Sequence, residues 1–267
     1  MPDPHAILAR TRDVYASCRA YRDSGTVTTI MHADQSPQRQ QWSIIHFSTL
    51  LRRPNAFRFQ YAEQTVGPPE TWPSHGAISF GGVAYKAFLE RAGRIGSLSD
   101  ALAGLTGVSG GAAHEIPSLL MHDGSGSHRA PLSPDRAEHV REARLDTHTC
   151  HVIRLSYERL PRDEDYWICQ ETGLILQIAD EHDLHDPTAV AQQAEDARTD
   201  LARAKQTNNA RDVRTFKRLL RHATRRRKEP LIVRTTTRYH PELDPDLPDH
   251  LFTTDPLPLQ RSSNLEI

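Results

Sequence analysis

Across residues 56–62, AFRFQYA, apolar and polar side chains alternate strictly. Phe57, Phe59 and Tyr61 fall on one face, Arg58 and Gln60 on the other. A period of two is the repeat of a pleated strand with one dry and one wet face. The run before it, QQWSIIHFSTLL (40–51), reaches it through an Arg53-Pro54-Asn55 turn, so the two form an antiparallel pair. A chain built this way has to bury one whole face of a sheet.

The same signature recurs. HGAISF and VAYKAFLE flank Gly81-Gly82, a tight hairpin turn. Further strands are expected at 138–146, at 149–157, in DYWICQ, in LILQIADEH after the Glu171-Thr172-Gly173 turn, and in LIVRTTTRYH. Ahead of them, residues 4–20 read as an amphipathic helix, with Ile7, Leu8, Val14, Tyr15 and Cys18 at helical spacing. Tyr21-Arg22-Asp23 then reads as the joint where that helix runs out. Gly25 lets the chain turn before a strand that begins at Val27, Thr29 and Met31. Arg22 and Asp23 are expected to cap or pair locally rather than act on a substrate.

Two segments break the β-pattern. SLSDALAGLTGVSGGAAHEIPSLLM (97–121) offers two short helical pieces joined by glycines. Gly107-Val108-Ser109-Gly110-Gly111 spells the nucleophile-elbow formula, but it follows a helical run without the strand–helix alternation that an elbow requires. It reads as a hinge. Residues 186–228 form the second break. Asp186-Pro187 is a helix start; Val190, Ala194, Ala197, Leu201 and Ala204 make one heptad-like seam, and Val213, Phe216, Leu220 and Ala223 another. These predict a helical hairpin inserted between two strands of a single domain spanning 1–267.

Net charge is −1, but it is segregated: 203–228 holds eleven Lys or Arg and one acid, leaving the remainder at −11. The cations Arg214, Lys217, Arg218, Arg221, Arg225, Arg226, Arg227 and Lys228 are candidates for docking to an anionic membrane surface or an acidic protein. Nucleic acid is disfavoured, because the hairpin offers no aromatic stacking platform: Phe216 is spent on the seam. Three cysteines do not make a disulfide framework; a hairpin could bring Cys150 and Cys169 together, but buried thiols are the commoner outcome. His182, Asp183, His185 and Asp186, and His122, Asp123 and His128, are clusters at element ends without the rigid frame a metal needs, so no metal and no cofactor is expected. No apolar run approaches the roughly 20 residues of a membrane-spanning helix.

One helix, about four strands, a helical cover and more strands make an α+β chain with an antiparallel sheet. YRDSGTVTT, LLRRPNAFRFQY, YWICQETGLILQI and TTTRYHPELDPDLPDHLFTTDP, in that order, resemble LolA-like proteins, the lipoprotein- and lipid-carrier superfamily, and LTGVSGGAAHEIPSLL resembles their covering segment. The likeness spans nearly the whole chain outside 186–228. It departs at Cys169, where relatives commonly carry aspartate, and at the basic hairpin.

The resemblance implies a strongly curved, unclosed half-barrel with an N-terminal helix and short lid helices. It further implies a monomeric, non-enzymatic carrier of acyl chains from a lipid or lipoprotein. Phe47, Phe57, Phe59, Tyr61, Phe80, Tyr85, Ile153, Leu155, Leu174 and Leu176 on strands, and Leu102, Leu105, Leu119 and Leu120 in the cover, are the candidate lining. An envelope or periplasmic setting is likewise implied. The opening residues, MPDPHAILARTRD, carry neither a basic n-region nor an apolar h-region, which leaves the cytoplasm as the other compartment. The alternative function is an envelope interaction or sensor domain with a filled core, docking through its basic hairpin.

Overall fold

The structure is a computed structural model that describes residues 2–33, 40–65, 72–88, 91–121, 132–158, 163–183, 187–206, 215–217 and 231–253. Helix α1 (Pro4–Ser17) is followed by strands β1 (Ala20–Ala33), β2 (Gln40–Arg52), β3 (Ala56–Glu63), β4 (Ser74–Phe80), β5 (Val83–Phe88) and β6 (Arg91–Ile95). Helices α2 (Leu98–Thr106) and α3 (Glu115–Leu120) lead to β7 (Arg136–Leu145), β8 (His148–Ser156), β9 (Glu164–Cys169) and β10 (Ile175–Asp183). Helix α4 (Pro187–Gln206) precedes β11 (Leu231–Tyr239) and the short β12 (Glu242–Leu243), and a 3-10 turn at Asp249–Phe252 ends the described chain.

Among the described residues the strands form one 12-stranded antiparallel sheet ordered β6-β5-β4-β3-β2-β1-β11-β10-β9-β8-β7, with β12 paired to β1 off this path. β6 and β7 are its two edges, so the sheet is unclosed, as expected. Consecutive strands β6 and β7 therefore lie at opposite edges, and the chain between them, with α2 and α3, has to cross the sheet. Register partners share a face. Tyr21, Leu51 and Phe57 form one inward row, Asp23, Thr49, Phe59 and Ala77 the next, and Gly25, Phe47, Tyr61 and Tyr239 a third. These residues, apart from the polar and smallest ones, join Leu8 and Tyr15 of α1, Leu102 and Leu105 of α2 and Ile116 and Leu120 of α3 in one core.

Three expectations change here. α1 ends at Ser17 and β1 already begins at Ala20, so Tyr21-Arg22-Asp23 is strand and not joint. Tyr21 and Asp23 point inward, while Arg22 pairs across the strand with Glu242 rather than with Asp23. Gly25 sits mid-strand, beneath the Phe47 ring. A β-carbon there would lie 2.2 Å from the Arg238 carbonyl oxygen and 2.4 Å from Phe47 Cζ, so close approach rather than turning demands the glycine.

The outer face is also drier than the alternation in β3 suggests. Arg58 and Gln60 are buried under the C-terminal segment, which folds back across β1–β4. The Arg58 guanidinium donates to the Leu251 and Thr253 carbonyls at 3.2 and 2.9 Å and to Gln60 Oε1 at 2.7 Å. Arg52 donates to the Leu247 carbonyl at 2.7 Å, and Asp244 Oδ1 accepts from the Arg19 and Ala20 amides at 2.7 and 3.0 Å. Phe252 and Leu247 pack with Ala20, Leu50 and Ala56 in a second, smaller core.

The expected hairpin insertion begins as α4, whose seam residue Ala197 is buried. Most of its second run lies outside the described residues. β10 and β11 pair up to Asp183 opposite Ile232, so the chain leaves and re-enters the sheet at one place.

Two outcomes follow from this packing. Gly25→Ala is expected to lower stability by about 3 kcal/mol, read from the urea midpoint, because the clash involves backbone that cannot yield. Replacing residues 186–229 by a short turn is expected to keep one cooperative unfolding transition, since β10 and β11 are neighbours without the insertion.

Candidate ligand site on the concave face

The inward face is roofed by α1 over the β7–β10 wing and by α2 over β4–β6. α3 packs beside α1. α2 is capped by Ser97, whose Oγ accepts from the Asp100 amide at 3.0 Å. Between α2 and α3, residues 107–114 form successive turns with Gly110 at φ +63° and Gly111 at +90°. Gly110 rests on the sheet: a β-carbon there would meet Val27 Cγ1 at 2.8 Å.

Ser109 is buried in this turn. Its hydroxyl donates to the Thr106 carbonyl at 3.3 Å and accepts from the Ala113 amide at 3.1 Å. Both of its hydrogen-bonding roles go to holding the turn, which fits a hinge and not a nucleophile.

The cover is hooked at its ends. The Arg53 guanidinium donates to the Cys18 and Leu120 carbonyls, each at 2.9 Å, tying the ends of α1 and α3 to the β2–β3 turn. The Tyr166 hydroxyl lies 3.0 Å from Glu115 Oε2 on α3 and 3.2 Å from Glu164 Oε2 on β9. On α1, Arg10 donates to the Gln170 carbonyl at 2.8 Å and to the Glu171 carbonyl at 2.5 Å.

Of the fourteen candidate lining residues, Phe47, Phe57, Phe59, Tyr61, Leu102, Leu105, Leu119, Leu120, Ile153, Leu155 and Leu174 come together in the one core, and Leu176 packs against it half-buried. Phe80 and Tyr85 do not. Tyr85 is the register partner of Ile78, itself opposite Arg58, which puts it on the outer face. Phe80 shares that face, 43% exposed, with its ring stacked on Phe252 at 6.4 Å. The C-terminal segment on which Phe80 stacks is distant in sequence, so alternation alone gave no sign of it.

Sequence reasoning also missed the polar centre of this face. Asp23 is 1% exposed; its Oδ2 accepts from the Tyr21 hydroxyl and its Oδ1 from the Thr49 amide, both at 2.9 Å. Burial pushes its carboxyl up to about 7, against the opposing pull of these hydrogen bonds. The Tyr15 ring lies tilted against that of Tyr21, centroids 5.5 Å apart, and its hydroxyl accepts from the Ile175 amide at 3.1 Å. Burial raises the hydroxyls of Tyr15, Tyr21 and Tyr239 well above the ordinary tyrosine range, so all three stay neutral. Asp23 read as a local capping residue because a carboxylate at an inward position breaks the apolar period.

Of the other candidates, His182 bonds Asp180 at 3.0 Å within β10, while His122, Asp123, His128, His185 and Asp186 lie outside the described residues. So do Arg214, Arg218, Arg221, Arg225, Arg226, Arg227 and Lys228; Lys217 is described, and exposed. On the outer face of the β7–β11 wing an open basin of about 800 Å³ surrounds Trp167 and Gln177. Its rim carries the Arg154–Asp165 and Arg234–Glu181 ion pairs, so it is polar and unlike the concave face.

An unclosed antiparallel sheet with helices over its concave side is the architecture that the sequence resemblance implied. No protein-family model matches the sequence, and no curated protein matches it. Among solved structures the chain is similar to a LolA superfamily protein from Nitrosomonas europaea, at 11% identity and a TM-score of 0.28 over 95% of this chain and 98% of that one. It is similar to a DUF1329 family protein from Desulfovibrio piger, at 9% identity and 0.34 over 94% and 98%. It is also similar to the Pseudomonas aeruginosa MucA/MucB complex, at 12% identity and 0.33 over 67% of this chain and 51% of that one. At these identities and scores none of them carries a function over to this chain.

The buried carboxyl sets a pH dependence. Its folded value lies above its unfolded one, so it binds its proton more tightly when folded, and stability falls as pH rises from about 4 through 7. The full shift, from 3.8 to about 7, corresponds to about 4 kcal/mol. Asp23→Asn keeps an acceptor for the Thr49 amide and removes the titration. The stability gap between variant and wild type, from urea melts, is expected to widen in the variant's favour between pH 4 and 7.5 and then level off; a gap constant with pH contradicts it.

Proposed function

We propose that the protein binds the apolar part of a lipid or other amphiphile between its concave face and the α2–α3 cover, without catalysis. One observation carries this reading: an apolar sheet face is roofed by two short helices joined through a glycine turn, not by a second sheet. Among the described residues the lining offers no exposed nucleophile. Acyl chains of a free lipid or of a lipoprotein, in an envelope setting, are the ligands that such a face suits.

Magnitudes limit how the site opens. Withdrawing Leu102, Leu105, Ile116, Leu119 and Leu120 fully from their contacts costs roughly 7–15 kcal/mol. A chain of about fifteen methylenes returns roughly 12 kcal/mol at about 0.8 each. A ligand therefore has to replace the cover's contacts as it displaces them, and a partial lift is favoured over a detached lid.

A second reading has an observation of its own: eleven of the lining side chains are buried against one another in the core, as in a filled interior. On that reading the module docks to an anionic membrane or an acidic protein through the basic tract.

Titration with a fluorescent fatty acid, alongside native mass spectrometry of the purified protein, separates the two. Saturable uptake that unlabelled lipid displaces is expected. Gly110→Ala, which pushes the cover off Val27, is expected to speed exchange several-fold. A protein that emerges empty and takes up no probe, while binding anionic vesicles in proportion to its 214–228 cations, establishes the filled-core reading instead.

A further inference from the structure

The outer face of the β8–β9 pair sets two thiols directly opposite each other. Cys150 and Cys169 are register partners in this antiparallel pair. The Gln170 amide donates to the Thr149 carbonyl at 2.9 Å, so the next pair along, Thr149 with Gln170, is a hydrogen-bonded one. The Cys169 amide turns the other way and donates to the Leu174 carbonyl at 2.9 Å. Bonded and non-bonded pairs alternate along an antiparallel ladder, which makes Cys150–Cys169 a non-bonded pair. Its Cα atoms are then about 4.5 Å apart, with the side chains at their closest. That separation lies within the roughly 4.4–6.8 Å that a disulfide spans.

The surroundings suit a protected bond. Both cysteines are free, and they are 0% and 2% exposed. Cys169 Sγ is 4.0 Å from His148 Nδ1, and Cys150 Sγ is 4.0 Å from the His148 carbonyl oxygen. Cys169 and both members of the Arg238–Asp146 ion pair act electrostatically on Cys150. The third cysteine, Cys18, is placed elsewhere, at the end of α1, with its thiol on the Tyr15 carbonyl.

We propose that Cys150 and Cys169 are the two halves of a reversible cross-strand disulfide, made by exchange with a disulfide donor of the glutathione type. The thiolate of one cysteine attacks the donor disulfide and releases one donor thiol. The second thiolate then attacks the protein sulfur of that mixed disulfide and releases the other. The protein loses two electrons and two protons, and the donor is reduced to two thiols. Burial holds the Cys150 thiol up, at about 11, so attack from the folded state is slow. The bond forms while β8 and β9 come together, or when the β7 edge opens, and it fastens the edge wing of the half-barrel.

Refolding the reduced chain across a range of oxidised to reduced glutathione tests this, with acid quenching, maleimide labelling under denaturing conditions and peptide mapping. The expected product has lost the mass of two hydrogen atoms, keeps one labelled thiol at Cys18, and yields a peptide linked through Cys150 and Cys169. It melts about 5 °C or more above the reduced form. Cys150→Ser and Cys169→Ser are each expected to keep both remaining thiols. Three labelled thiols at every glutathione ratio, or a link through Cys18, overturns the proposal. Because the wild-type peptide map decides the matter, a serine variant that fails to fold does not blunt the test.

Discussion

The connection from β6 to β7 is the constraint on which the rest of the molecule depends. These strands follow one another in the chain, yet they are the opposite edges of the sheet. The segment between them cannot run along an edge; it has to cross a face of the sheet, and the packing of α2 and α3 puts it on the concave one. A cover over the inner face is thus a consequence of strand order, not an accessory. It also resolves the main difficulty of an unclosed sheet, an apolar face with no second sheet against which to dry it. The short helices, their glycine turn and the inward aromatic rows all answer that one requirement.

The two wings solve the outer face differently. Over β1–β4 the C-terminal segment returns and seals it, with Arg58 spending its guanidinium on carbonyls that the segment would otherwise leave unpaired. The buried guanidinium is accommodated there because both of its terminal nitrogens meet acceptors, the Leu251 and Thr253 carbonyls and Gln60 Oε1. Over β7–β10 no such segment returns among the described residues, and the face is laced with ion pairs around Trp167 instead. One wing is a sheet buried on both sides; the other keeps a wet exterior, with the facing thiols at its dry spot.

Much of this was legible in the residues, for physical reasons that can be named. The strand runs, the two covering helices and α4 follow from periodicity, because burial on one face imposes it directly. The start of β1 did not, since Asp23 occupies an inward position and its charge conceals the alternation that Tyr21 and Asp23 in fact obey. β6, RAGRI, went unread because an edge strand this short has almost no apolar period to show. Phe80 and Tyr85 were assigned inward on hydrophobicity alone, whereas parity with Ile78 puts them outward. The error has one source: what covers an outer face is tertiary, and the segment that does so here lies far along the chain.

The cover itself is not one body. α2 packs on β4, β5 and β6, while α3 packs on α1 and is tied through Arg53 and Tyr166 to strands of both wings. The turn between them lies over Val27 and Ile45, on the middle strands. The α3 end therefore carries two charged hooks, whereas the turn is seated by apolar packing alone: Gly110 rests on Val27, and Ala112 and Ala113 are buried in the core. An alanine methyl buries little area, so each contributes less than a charge-assisted hydrogen bond. Any opening compatible with these strengths begins at the glycine turn and carries α2 away with its own wing, leaving α3 in place. The apolar surface exposed first is then the one beneath Gly110, around Val27 and Ile45 on the middle strands, where an entering chain meets the inward rows from both wings.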